Sequence, residues 1–497
     1  MDRRLFLQQA GILGLTAALP QPLWALVEDN LSVQQAFHKS LQKNPWLLGH
    51  ANVEQERDVH ELKLEGKIPE GFEGTFYRNG PALQERGGIR YAHLFEGDGM
   101  IRAFRFGGGK VSYRDRFVKT PKFIQEEKAG RFLYDGSGTD IPDSLGVGSP
   151  DATNVANTSI LPVGNDIWAL WEGGSATRLA ADSLDTKGFV ALGEGLQGMP
   201  FSAHPKVDPN GDIWNVGLDN NRGRAVIYHL SSAGQLKKVA VVPTGYHSML
   251  HDFLVTEKHV LLILPSLDMG GKGFGFFGRM NFRADQPVRL MVLDKNDLTV
   301  KRQHDLPPGF MFHFGNAWEE KDGTIHFDCC RYENLDVMTE LAELMRGEIR
   351  DPQLQSEAVF YQISPTGKVT ETRTPGQAEF PRLYPRLTGL KNKSIYHAGS
   401  ANTPHWMNTI RRLEPESGKT ESYSYGDGFL VEEHIVVEGR DRNTQAGGWL
   451  VGTALHWPTK RSCVSIFEAE NLSAGPVARA WLDFPISLGF HGNFARA

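Results

Sequence analysis

The sequence predicts an all-β fold on a propeller plan, and three observations carry that expectation. Glycine supplies 54 of 497 residues, about 11% against the ~7% of average proteins, without a Gly-X-Y period. Such an excess marks many tight turns, and hence many strands. Short segments alternate apolar and polar residues, as in Gly74-Thr75-Phe76-Tyr77-Arg78 and Val111-Ser112-Tyr113-Arg114-Asp115-Arg116-Phe117. Turn tokens such as Gly107-Gly108-Gly109, Asp208-Pro209-Asn210-Gly211, Lys321-Asp322-Gly323 and Pro365-Thr366-Gly367 separate them. Helical periodicity is confined to residues 31–48 and 334–346.

Composition narrows the function classes. The chain is 40% hydrophobic and 23% charged, which excludes a disordered or collagen-like polymer. A net charge of −6 offers no electrostatic case for nucleic acid. The 3 cysteines, Cys329, Cys330 and Cys463, supply neither a disulfide framework nor a thiolate metal site. Chemistry is left to the 17 histidines.

The elements follow in order. Residues 1–25 begin Asp2-Arg3-Arg4-Leu5-Phe6-Leu7-Gln8 and continue into an apolar run over 10–19. Paired arginines before a weakly hydrophobic run resemble a twin-arginine export signal. The run is too short for a membrane span, which needs about 20 residues. The expectation is export by the twin-arginine machinery, cleavage near Ala18 or Ala25, and a periplasmic or otherwise extracytoplasmic protein. The twin-arginine route carries folded proteins, so a metal can be loaded before export. Residues 26–59 read as a helical and extended lead-in. Residues 60–497 read as one domain of roughly 25–30 short strands. A β-sandwich would be overfilled by that many strands, whereas propeller blades consume about 40–50 residues and four strands each. No linker splits this stretch.

Four histidines sit between small or apolar neighbours: Ser202-Ala203-His204-Pro205, Leu250-His251-Asp252-Phe253, Phe312-His313-Phe314-Gly315-Asn316 and Phe490-His491-Gly492-Asn493. A lone histidine of this kind is more often a satisfied core residue than a ligand. Their spacing carries no local metal signature. A radial architecture changes that reading, because equivalent inner strands bring residues tens of positions apart onto one axis.

The motifs around these histidines occur in a recognisable order. Tyr77-Arg78-Asn79-Gly80-Pro81 is followed by His93-Leu94-Phe95-Glu96-Gly97-Asp98-Gly99, then Ala156-Asn157-Thr158, Leu170-Trp171-Glu172-Gly173-Gly174 and Glu379-Phe380-Pro381-Arg382. Together with the four histidine stretches they resemble the carotenoid cleavage oxygenase family, also called the retinal pigment epithelial membrane protein family, which includes lignostilbene dioxygenases. The resemblance spans about residues 62–494.

The resemblance implies a seven-bladed β-propeller with a helix and loop cap over an axial iron site. It implies one Fe(II) per chain held by His204, His251, His313 and His491, with O2 as co-substrate. Four imidazoles leave coordination positions open for O2. Thr158 matches a residue that shields one of those positions. Glu172, Glu379 and Glu433 match the carboxylates that accept the outer N–H of ligand histidines, fixing ring and tautomer. Around Glu433 the chain departs from the family's Glu-Pro-Val-Phe-Val-Pro and reads Glu433-His434-Ile435-Val436-Val437-Glu438, which leaves Glu432 as a register alternative.

The family's reaction is oxidative cleavage of a conjugated C=C bond into two carbonyl products. Its stilbene branch grips a phenol with a lysine and a tyrosine, at places occupied here by Trp171 and Phe117. Both are expected to line a substrate tunnel, and they favour a carotenoid or apocarotenoid over a phenolic stilbene. The segment Gly273-Phe274-Gly275-Phe276-Phe277-Gly278 is a Gly-rich aromatic loop. Phe274, Phe276 and Phe277 can dip into a bilayer, line the tunnel mouth or pack against the cap. Three alternatives to polyene cleavage stand: lignostilbene-type cleavage, isomerohydrolase chemistry without O2, and a non-catalytic carotenoid- or retinoid-binding propeller.

Overall fold

The computed structural model describes residues 32–497, apart from 246, 351–353, 402, 404 and 440–446. The export signal expected over 1–25 lies outside the described residues.

Seven antiparallel sheets of four or five strands follow one another in chain order. The ring closes with both ends of the chain. Strand Lys63–Gly66 adds to the outer edge of the last blade by pairing with Pro476–Trp481. Strand Gly492–Arg496 forms the inner edge of the first blade by pairing with Gly74–Leu83. The architecture is the expected seven-bladed propeller.

Burial explains why each strand sits where it does. The outer strand Leu236–Pro243 alternates half-buried and exposed residues, the period-two pattern of a strand with one wet face. The strand two places inward, Ile213–Asp219, is buried at nearly every position. Neighbouring blades share cores. Leu261, Ile263 and Val292 pack with Phe314, Phe327 and Tyr361, and Val216 and Ile227 pack with Leu262 and Leu264. Burying such apolar surface stabilises by about 25 cal/mol per Å².

The helices form the cap. The first spans Val33–Lys43, with Ser32 and Gln35 exchanging capping hydrogen bonds. The expected helix over 31–48 therefore ends early. Pro45 cannot continue an α-helix, and Pro45–His50 is a 3-10 turn. The stretch 334–346 forms the helix Asp336–Met345. Both pack into a cap cluster with Phe37, Trp46, Leu47, Met338, Leu341, Leu344, Phe310 and Phe312. Helix Pro121–Ala129 and the short helix Gly275–Arg279 complete the cap.

Candidate metal centre and cavity

Each innermost strand brings one sequence-predicted residue toward the axis. Thr158 precedes Ser159–Val163, His204 precedes Lys206–Val207, and His251 precedes Leu254–Val255. His313 lies within Phe310–Glu319, Glu379 opens Glu379–Arg382, Glu433 lies within Phe429–Glu438, and His491 precedes Gly492–Arg496. Glu172 follows strand Asp166–Leu170 of the Thr158 blade. Bulges interrupt the pairing at Met311/Phe314, Glu379/Arg382 and Val431/His434. Bulges of this kind re-aim side chains next to functional sites.

The four histidines converge. Nε2 of His204 lies 3.0 Å from Nε2 of His251. The His251–His313 and His313–His491 separations are 3.3 and 3.2 Å. One ligand atom from each residue falls within 4.8 Å of the others. His251, His313 and His491 are buried, and His204 is half-buried.

For His251, His313 and His491 the carboxylates behind the outer nitrogens place a proton on Nδ1. His313 Nδ1 donates to Glu379 at 2.6 Å, and His491 Nδ1 donates to Glu433 at 2.8 Å. Glu172 lies against His251 Nδ1. A carboxylate accepts, so Nδ1 carries the proton and Nε2 of the neutral ring presents a bare lone pair. Lone pairs facing one another at ~3 Å repel unless a cation sits among them. Burial, reinforced by the other histidines, holds His204 well below its usual pKa. Burial pulls His491 down to about 3, outweighing Glu433. For His251, burial opposes the charge but Glu172 outweighs it and raises the pKa. A cation at Nε2 would take the place of that second proton. An imidazole-only donor set with carboxylates behind it fits a divalent transition metal such as Fe(II).

The three carboxylates differ in support. Glu433 is fully enclosed: it also accepts from Arg78 at 3.1 Å, Arg382 at 2.7 Å and the Gly492 N–H at 2.7 Å. Glu379 accepts a further bond from the Phe380 N–H at 3.1 Å. Glu172 is 31% exposed and faces the cavity. The register question resolves to Glu433. Glu432 instead accepts from the Thr453 hydroxyl and the Gly489 N–H, and lies 3.3 Å from Arg78. His204 has no carboxylate behind it among the described residues.

A cavity of about 810 Å³ reaches His251, His313 and His491, within the ~300–1,000 Å³ usual for small-molecule sites. Its wall is largely aromatic and aliphatic, with Phe95, Trp171, Met249, Phe312, Trp406 and Phe490 among its members. Thr158 is part of that wall and donates its hydroxyl to Asn157 at 2.9 Å. Trp171 lines the cavity as expected. Phe117 does not, which corrects that expectation. Helix Pro121–Ala129 packs over the end of its strand and takes the ring, which stacks on Phe123 at 5.2 Å.

The aromatic loop divides. Phe276 and Phe277 turn into the cavity wall, and the Phe277 ring packs at a tilt against His93, 4.2 Å between centroids. Phe274 is 44% exposed. Gly275 lets the loop approach Ser137: its φ is +68°, and a Cβ there would sit 2.3 Å from the Ser137 carbonyl.

Three further residues shape the site without a signal of their own in the sequence. Phe380 adopts φ +54°, a conformation that costs a bulky residue of order 1–3 kcal/mol. Its ring lies 5.2 and 5.4 Å from those of His313 and His491. Arg78 and Arg382 pin Glu433. All three lie inside recognised motifs, but nothing in a linear motif distinguishes a buried arginine from an exposed one.

A family model described as retinal pigment epithelial membrane protein matches residues 50–496. The chain belongs to this family. Within it, the chain is 29% identical to the apocarotenoid-15,15'-oxygenase of Synechocystis, over 92% of this chain and 97% of the relative. It is 27% identical to lignostilbene-alpha,beta-dioxygenase isozyme III of Sphingomonas paucimobilis, over 89% and 95%. The pea carotenoid 9,10(9',10')-cleavage dioxygenase 1 is 28% identical, over 93% and 92%. The solved structure of cobalt-substituted Synechocystis apocarotenoid oxygenase superposes with a TM-score of 0.81 at 27% identity, over 91% of this chain and 99% of that one.

Proposed function

We propose that this protein is an Fe(II)-dependent dioxygenase that cleaves a conjugated C=C bond of a carotenoid or apocarotenoid with O2, giving two carbonyl products. The observation that carries the proposal is the four-histidine cluster opening into an apolar, aromatic-walled cavity. His204, His251, His313 and His491 would hold the iron. When bound, the iron supplies activation of O2, chemistry that no side chain provides. The rest is positioning. Glu172, Glu379 and Glu433 hold the outer imidazole protons, so the inner nitrogens stay available to a cation. Trp171, Phe312 and Phe490 exclude water and give a flat, rigid polyene apolar surface to lie against.

The polyene reading is preferred to the stilbene reading because Trp171 stands in the cavity where the stilbene branch is expected to have its phenol-gripping lysine. Both kinds of cleaving enzyme occur among the relatives. Mass spectrometry of products from an apocarotenoid, carotenoid and hydroxystilbene panel tests the choice. Aldehyde or ketone fragments from a polyene are expected. Cleavage of hydroxystilbenes alone would favour the lignostilbene reading, and no product from any would favour a binding protein.

A peripheral membrane contact accompanies this reading. Ile124, Leu145, Val147, Phe274 and Ile349 are exposed large apolar residues; Ile124 and Phe274 belong to or adjoin the cap helices Pro121–Ala129 and Gly275–Arg279, and Val147 and Ile349 border the cavity. An apolar substrate dissolved in a bilayer reaches the cavity most directly from such a surface. Co-sedimentation with phosphatidylcholine vesicles is expected to fall several-fold in Phe274→Ser combined with Ile124→Ser, at roughly the ~0.8 kcal/mol per buried CH₂ of membrane partition. Unchanged sedimentation would rule out this surface.

A further inference from the structure

Glu340, in the cavity wall, serves neither the metal centre nor an ion pair. Helix Asp336–Met345 presents Val337, Glu340, Leu341 and Leu344 to the cavity. These are positions i, i+3, i+4 and i+7, one face of a helix. Three of the four are apolar, and Glu340 interrupts the stripe.

Its surroundings set Glu340 apart from the other carboxylates that line the same space, except Asp135, which likewise holds one backbone donor, the Ile141 N–H at 3.0 Å, but sits in a loop rather than on an apolar helix face. Glu96 is enclosed by the Gly138 and Thr139 N–H groups and the Thr139 hydroxyl. Asp219 is paired with Arg222 and Arg224. Glu172 and Glu379 serve His251 and His313, and Glu348 is paired with Arg346. Glu340 has the Leu354 N–H, at 3.1 and 3.4 Å from its two oxygens, as its hydrogen-bond partner among the described residues. The nearby Arg350 is taken by Glu343 at 2.9 Å. Glu340 is half-buried, and burial raises its pKa to about 7 despite the Leu354 N–H and Arg350.

A carboxyl group desolvated by an apolar wall and left with spare hydrogen-bonding capacity calls for a polar group on the ligand. A hydroxyl fits best. It donates to the ionised carboxylate and accepts from the protonated acid, so it pairs with Glu340 in either state. A carbonyl oxygen pairs only with the acid. We propose that Glu340 is a specificity residue that binds a hydroxyl on the end group of a polyene substrate, with the rest of the chain lying along the apolar cavity toward the histidines. This rests on the polyene reading above.

The test compares an apocarotenal carrying a ring hydroxyl with the otherwise identical compound lacking it, using the iron-loaded full-length protein. Wild type is expected to favour the hydroxylated compound by about tenfold in kcat/KM, the scale of one hydrogen bond in a desolvated site. In Glu340→Leu that ratio falls to near one. Glu340→Gln, which keeps a donor and an acceptor, retains most of it, and melting temperatures of both variants report their folding. Equal rates on the two compounds in wild type, or an unchanged ratio in Glu340→Leu, would overturn the subsite and leave polyene cleavage standing. Cleavage of neither compound overturns the polyene reading and the subsite together.

Discussion

His251→Ala is expected to lose its metal. The variant removes one of four inward nitrogens and strands Glu172, whose imidazole partner disappears. Wild type loaded anaerobically should hold about one iron per chain, and the variant under about a tenth of that, since affinity at such sites depends on the complete set of neutral donors. Elemental analysis after desalting reads the loss directly, and polyene cleavage should fall with it. His397 provides the control. It is also buried, at 3% exposure, but lies in strand Ile395–Gly399 outside the cluster. His397→Gln should keep its iron. Full iron in His251→Ala would mean that the cluster is not the metal site.

Glu433→Leu is expected to have the largest effect on stability. The carboxylate is 1% exposed and neutralises two guanidinium groups, Arg78 and Arg382. Removing one partner of a buried ion pair costs about 3–5 kcal/mol when the other is left without compensation; Arg78 keeps Glu432 at 3.3 Å and Arg382 is 33% exposed, which places the loss at the lower end. Chemical denaturation should show that loss, and His491, freed from its anchor, should lower metal affinity by roughly 10–100-fold. Acid should reveal the same group. Burial raises the Glu433 pKa, but Arg382, His491 and Arg78 outweigh it and hold it well below the ordinary 4.5. A depressed pKa contributes stability that is complete above the ordinary value and lost as pH falls below it. Wild type should therefore lose stability below about pH 4.5 in part through this residue, and Glu433→Leu should show a shallower decline. Equal stability of variant and wild type at neutral pH would contradict the enclosed ion pair.

The residues at the centre of the fold were the most legible in the sequence. The histidines stand at the starts of, or within, inner strands, where a propeller places residues on its axis, and their motifs keep the family's order. The turns were legible because Gly, Asp, Asn and Pro mark them chemically. What the sequence left open depended on local irregularity. Glu432 and Glu433 are adjacent and both buried, and the bulge at Val431/His434 lets one serve Gly489 while its neighbour serves His491. Phe117 keeps the alternation of its strand but meets a helix rather than the cavity, a choice made by residues 121–129. The strained Phe380 backbone and the lone Glu340 on an apolar helix face have no linear signature, since both follow from what packs against them.

In the proposed reaction, bound Fe(II) and O2 together break a polyene at this cavity. The most direct measurement follows the visible absorbance of an apocarotenoid mixed anaerobically with iron-loaded protein, before and after O2 is admitted. The expected result is a stable spectrum without O2, then bleaching with stoichiometric O2 uptake and carbonyl products, none of it in His251→Ala. Conversion of the polyene without O2 uptake, or bleaching that persists in His251→Ala, would contradict it.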